Sequence, residues 1–158
     1  MKTPTKQAGL LRTSMNWKRT AFYRGTRVVA DTRKGHNLIM NLCPNLLGHL
    51  FVNTPGWSTG ASYFAIGTGT TAPAVTDTTL VTEVFRKALT SKTNVAGVCT
   101  LVSYMLFNEC NFAIKEAAVF GHDADATPDS GEMQSRWLVD FDNSAGLYDI
   151  QWEYELTI

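Results

Sequence analysis

Tyr148-Asp149-Ile150-Gln151-Trp152-Glu153-Tyr154-Glu155-Leu156-Thr157-Ile158 alternates without a break. Tyr148, Ile150, Trp152, Tyr154, Leu156 and Ile158 fall on one side. Asp149, Gln151, Glu153, Glu155 and Thr157 fall on the other. A period of two marks an extended strand with one buried face and one face left for water or a partner. The row Tyr148, Ile150, Trp152 and Tyr154 is also expected to lie on an edge strand, where a second chain could pair with it.

Working back from that strand, the same local pattern recurs. Residues 136–141 and 112–120 read as strands, separated from each other by the acidic, turn-rich stretch 121–132. Residues 95–107 form a long run that is apolar on both sides, which predicts one strand covered on both faces. Residues 83–90 alternate loosely, and residues 62–66 are a short apolar run stopped by Gly67-Thr68-Gly69. Only residues 36–51 break the rule. There Leu38, Ile39, Leu42, Leu46, Leu47 and Leu50 repeat at spacings of three and four, which predicts a helix. Pro44 inside it would either kink that helix or open a second one in its first turn. One helix followed by several strands, with no β-α-β alternation, predicts a mostly β fold: an antiparallel β-sandwich or open barrel. A chain of 158 residues fits a single such body.

Residues 1–34 differ in charge. They carry nine basic groups against Asp31 alone, so the segment is +8 in a chain whose formal net charge is zero. The expectation is an extended basic arm over residues 1–35 and a β body over residues 36–158. Arg12, Trp17, Lys18, Arg19, Phe22, Tyr23, Arg24 and Arg27 are its candidate contact residues, because Trp, Tyr and Arg dominate binding surfaces. An acidic face of a neighbouring copy is the favoured partner. Nucleic acid is the weaker alternative, since the bases are spread singly rather than in a block. No run is long and apolar enough to cross a membrane, and the first twenty residues lack the apolar centre of a secretory signal. Cys43, Cys99 and Cys110 form no C-x-x-C pair and are expected as reduced, mostly buried thiols.

The chain offers little that reads as chemistry. Gly67-Thr68-Gly69-Thr70-Thr71-Ala72 has the spelling of a dinucleotide-binding turn, but Pro73 follows where a helix should open, so no cofactor is expected. His36, His49 and His122 lack metal-ligand spacing. Asp123, Asp125, Asp129 and Glu132 match no calcium loop, so no metal is expected either. No nucleophile sits in a G-x-S-x-G elbow, and no catalytic residue is assigned. Glu116 shares a strand face with apolar neighbours. As an inward carboxylate it needs a cation, and Arg86 is the expected partner in a structural ion pair.

Three stretches, in order, resemble a group of small virion proteins of tailed bacteriophages, described as tail-associated or fibre-like. They are Asn37-Leu38-Ile39-Met40-Asn41 with Leu46-Leu47; Phe64-Ala65-Ile66-Gly67-Thr68-Gly69-Thr70-Thr71-Ala72-Pro73 with Asp77-Thr78-Thr79-Leu80 and Glu83; and Glu109, Asn111 and Ile114-Lys115-Glu116-Ala117-Ala118-Val119-Phe120, leading to Ile150-Gln151-Trp152-Glu153. The likeness spans residues 36–158 and leaves the basic segment outside. It implies a non-enzymatic particle component in many copies, at the tail, neck or fibre attachment, made in the host bacterial cytoplasm. Its partners would be other virion proteins and itself. A capsid decoration protein is one alternative. A receptor- or glycan-binding module with Trp57 and the acidic loop at one end of the sandwich is another.

Overall fold

The computed structural model describes residues 14–157. It is a sandwich of two antiparallel five-stranded sheets with one helix. The strands are β1 (Ser14–Tyr23), β2 (Val29–His36), β3 (Leu38–Ile39), β4 (Ala61–Gly67), β5 (Glu83–Ala88), β6 (Ser91–Val95), β7 (Val98–Met105), β8 (Ala113–Gly121), β9 (Glu132–Asp142) and β10 (Tyr148–Thr157). The helix is α1 (Leu42–Phe51). Sheet A has the order β2-β1-β10-β7-β6 and sheet B the order β3-β9-β8-β4-β5.

The chain passes between the sheets at both flanks. Edge strand β2 runs through Asn37 into edge strand β3, and edge strand β5 runs through Leu89-Thr90 into edge strand β6. Two otherwise open sides are therefore stitched by bent strands, one way in which a sandwich limits its exposed edges. Between the sheets lie Phe64, Ile66, Ile114, Val119, Trp137, Ile150, Trp152 and Tyr154, all buried. Trp137 stands edge-on to Phe64 and to Trp152, with centroids 5.5 and 6.4 Å apart, geometries aromatic rings prefer.

The alternation in β10 is present, but β10 is not an edge. It is the central strand of sheet A, paired along its length with β1 on one side and β7 on the other. Its ladder groups are already used, so Tyr148, Ile150, Trp152 and Tyr154 offer no free edge. The neighbour that fills that position is the segment expected as an arm. Residues 14–36 form the hairpin β1–β2, with β1 in register against β10 from Ser14↔Thr157 to Tyr23↔Tyr148. Arg12 lies outside the described residues. The segment misreads because its inward row is chemically mixed: Met15, Trp17, Arg19 and Ala21 face the core opposite Leu156, Tyr154, Trp152 and Ile150. Trp17 stacks on Trp137 at 6.0 Å. Arg19, 1% exposed, pairs with Asp31 and lies 3.7 Å over the Phe141 ring, and burial pushes its guanidinium below the usual arginine range. On the outer side Lys18 binds Glu153 at 2.9 Å. Those cations are met by acids of the same chain.

Two further boundaries shift. Residues 36–51 hold the short strand β3 and then α1, with Pro44 in the first turn, where a missing N–H costs nothing. Residues 95–107 contain a hairpin junction. Ala96 (φ 51°) and Gly97 (φ 84°) make a left-handed two-residue turn between β6 and β7. As a result only one face of β7 is covered: Leu101, Ser103 and Met105 are buried, while Val102 and Tyr104 line the outer side and β6 is exposed along its length.

Candidate functional site

The stretch 67–83 leaves β4 and returns as β5, lying across the outer face of sheet B. Its anchor is Glu116 on β8, fully buried. The Glu116 Oε1 accepts the amides of Gly69 at 3.0 Å and Thr82 at 2.8 Å. Its Oε2 accepts the amide of Val81 at 3.1 Å. Arg136 on β9 donates to the same Oε2 from Nε at 3.1 Å and Nη2 at 2.8 Å. Arg136 also reaches Asp77 Oδ2 at 2.7 Å and the Thr71 carbonyl at 2.8 Å. A buried carboxylate becomes tolerable only when its lone pairs are filled in this way.

The expected cation for Glu116 was Arg86; the partner is Arg136. The two face each other because β8 and β9 pair with Ala118 opposite Arg136, one step from Glu116 on the same face. Arg86 is two strands away, on β5, and is engaged by Glu83 at 2.5 and 2.7 Å. Its Nη1 donates to the Ser130 carbonyl and Oγ, both at 2.9 Å, and to the Asp125 carbonyl at 3.3 Å; the guanidinium sits 4.5 Å over the Phe120 ring. Arg86 therefore pins the acidic loop 122–131 to the sheet. Beneath the two loops Met40, Ala65, Leu80, Ala118, Phe120 and Met133 form a second small core.

This explains the glycines of the Gly67-Thr68-Gly69 turn. A Cβ on Gly69 would lie 2.6 Å from Val81 Cβ and 2.8 Å from Glu116 Cδ, and one on Gly67 would lie 2.8 Å from Glu116 Oε1. The turn is glycine-built because a carboxylate is packed against it. Among the described residues no group of three or more His, Cys, Asp or Glu is placed to hold a metal.

Sheet A differs. Its outer face is an open surface with two shallow hollows of about 600 Å³ each. One is lined by Lys18, Lys34, His36, Glu153 and Glu155, the other by Phe22, Arg27, Thr90, Tyr104 and Gln151. Of the residues expected on an arm, Lys18, Phe22 and Arg27 face these hollows. Arg19 belongs to the interior, and Trp17 is half-buried, packing on the core and lining the first hollow. Tyr23, Arg24 and Arg27 sit at the β1–β2 turn, where Arg24 covers the Phe107 ring at 3.7 Å.

That turn is held firmly. Asp149, 2% exposed, accepts the amides of Gly25 at 3.0 Å and Phe107 at 2.8 Å. Asn143, 1% exposed, donates to the Cys110 and Tyr148 carbonyls at 3.1 and 2.9 Å. At the other end of the sandwich Trp57 lies between His49 and His122, with centroids 3.9 and 4.0 Å away and both imidazoles stacked. Both faces of its indole are thereby covered, leaving neither open to stack on a sugar. Three separate segments supply those rings, so no spacing in the sequence announces the stack. Burial pushes the thiols of Cys43 and Cys110 up to about 11 and about 12. Groups so hard to ionise are poor nucleophiles.

No family model matches the chain, and no curated protein or solved structure matches it.

Proposed function

We propose that this chain is a non-enzymatic structural subunit of a tailed-phage particle, placed at the tail, neck or fibre attachment, working through contacts with other virion proteins and with copies of itself. One observation carries the reading. The residues through which the sequence resembles that group of virion proteins, Gly67 to Thr71, Asp77, Glu83 and Glu116, meet in buried polar networks that hold two loops against sheet B. A general acid or base must reach a substrate proton. Glu116 instead spends both oxygens on three backbone amides and an arginine. A motif used for rigidity is what a particle component needs, since its surfaces must hold one shape in every copy.

Mass spectrometry of gradient-purified particles tests this. The chain is expected at a fixed multicopy ratio to the other virion proteins, and particles made without it should lack a discrete feature in electron micrographs. Its absence from purified particles would overturn the proposal.

A further inference from the structure

The two ends of the sandwich are opposite in character. The first is built from the β1–β2 turn and the crossings 106–112 and 143–147, which join Met105 to Ala113 and Asp142 to Tyr148. Exposed on its sheet A side are Tyr23 (51%), Val28 (62%), Val29 (53%) and Leu147 (54%). Arg24 and Arg27 stand among them, and neither has a carboxylate within ion-pair distance among the described residues. The nearest acid of the turn, Asp149, is buried and already holds two amides. Asp142, on the sheet B side, accepts the Ser144 amide.

The second end carries α1, the loop 52–60 and the loop 122–131. It lies about 30 Å away, the span of a ten-residue strand. Phe51 is 91% exposed and Val52 68% exposed. The His49–Trp57–His122 stack ties the α1 terminus to the start of the acidic loop, so Phe51 and Asp123 lie at the same end of the sandwich. The Asp123 side chain is 78% exposed, and its neighbour in charge there is His122 at 3.2 Å. Asp125 is exposed and its carboxyl is held below the usual carboxylate range by the Thr127 amide and the Ser130 hydroxyl, so it is ionised at neutral pH. One end is apolar and basic, the other apolar and acidic, and both are braced from beneath.

We infer that copies of this chain associate head to tail, the Tyr23–Arg24–Arg27–Val28–Leu147 end of one against the Phe51–Val52–Asp123–Asp125 end of the next. Complementary charge sets the register and excludes like ends, while the exposed rings and aliphatics supply the contact. Such a contact is heterologous. It builds a ring if the rotation closes and a filament if it does not. The inference rests on the multicopy reading above but is measured on the isolated protein, so the two fail separately.

Sedimentation velocity across a concentration series at low salt is the test. The wild-type chain should self-associate, and added salt should weaken it. The variant Arg24→Glu with Arg27→Glu, and the variant Asp123→Lys with Asp125→Lys, should each associate at least about tenfold more weakly alone. Mixed in equal amounts, they should regain wild-type assembly, because each reversed end now meets its opposite. Circular dichroism of each variant confirms that it is folded. A wild-type monomer at all concentrations, normal assembly by either variant alone, or a mixture that stays monomeric would overturn the inference, whatever particle analysis shows about the role of the chain in a virion.

Discussion

The outer faces of the two sheets share a core and little else. On sheet B, Glu83, Arg86, Glu116 and Arg136 are each buried, at least in the side chain, and the loops 67–83 and 122–131 lie over them. On sheet A, Lys18 and Glu153 sit half-exposed in an open hollow. Similar charge chemistry thus occurs in a dry place and in a wet one. The difference teaches what burial does to a charge: on the sealed face Glu83, Arg86, Glu116 and Arg136 order loop backbone, while on the open face Lys18 and Glu153 meet in water.

The strongest way to break this contrast is Glu116→Ala. It strands Arg136 and three amides in a dry interior, and a loss of about 3–5 kcal/mol in urea-unfolding free energy is expected. A loss under 1 kcal/mol would mean water already reaches the network. Next is the interior that both faces share. Cys43 and Cys110 keep their protons in the folded state to about 11 and about 12, against 9.0 when exposed. Above pH 9 the unfolded chain therefore binds fewer protons than the folded one. Stability must fall as pH rises, and is regained on returning to pH 8. The drop should be on the order of 2 kcal/mol by pH 10, and replacing both thiols with serine-sized or alanine side chains should flatten that slope in a pH series of urea melts. Gly69→Ala comes third. The added methyl meets Val81 and Glu116, and a cost of about 1–3 kcal/mol is expected from thermal melts. The smallest effect belongs to the open face. Lys18→Gln with Glu153→Gln should change stability by less than about 1 kcal/mol, since screened surface pairs contribute little. A larger loss would show that the sheet A face is covered in solution.

Much of this fold was legible because a half-buried strand writes its period into the chain. Residues 148–157, 113–121 and 132–142 all read correctly as strands, with ends displaced by a few residues. The sandwich followed from the absence of β-α-β order. Residues 14–36 were not legible. An inward row of Met15, Trp17, Arg19 and Ala21 does not look like a core until Asp31 and Phe141 are seen to receive the arginine. The site was half legible. Glu116 announced itself as a carboxylate among apolar neighbours, but the sequence pointed to Arg86 as its cation. A register shift between Ile114 and Glu116 turns Ile114 into the core between the sheets and leaves Glu116 with Ala118 and Phe120 on the outer face beneath the loops. Arg136 lies in the run Arg136-Trp137-Leu138-Val139, whose apolar neighbours mark it as a charge in need of a buried partner, on the strand face opposite Trp137 and Val139.

By itself the sequence determined the local geometry: which residues extend, where glycines permit turns, and which side chains want a dry environment. Those choices depend on neighbours within a few residues. Only the tertiary structure decided which strands lie side by side. That placed β1 against β10, gave Glu116 to Arg136 rather than Arg86, and closed Trp57 between two imidazoles from distant segments. Pairing over such separations is settled by the whole set of buried contacts competing at once, and no short window of residues contains that competition.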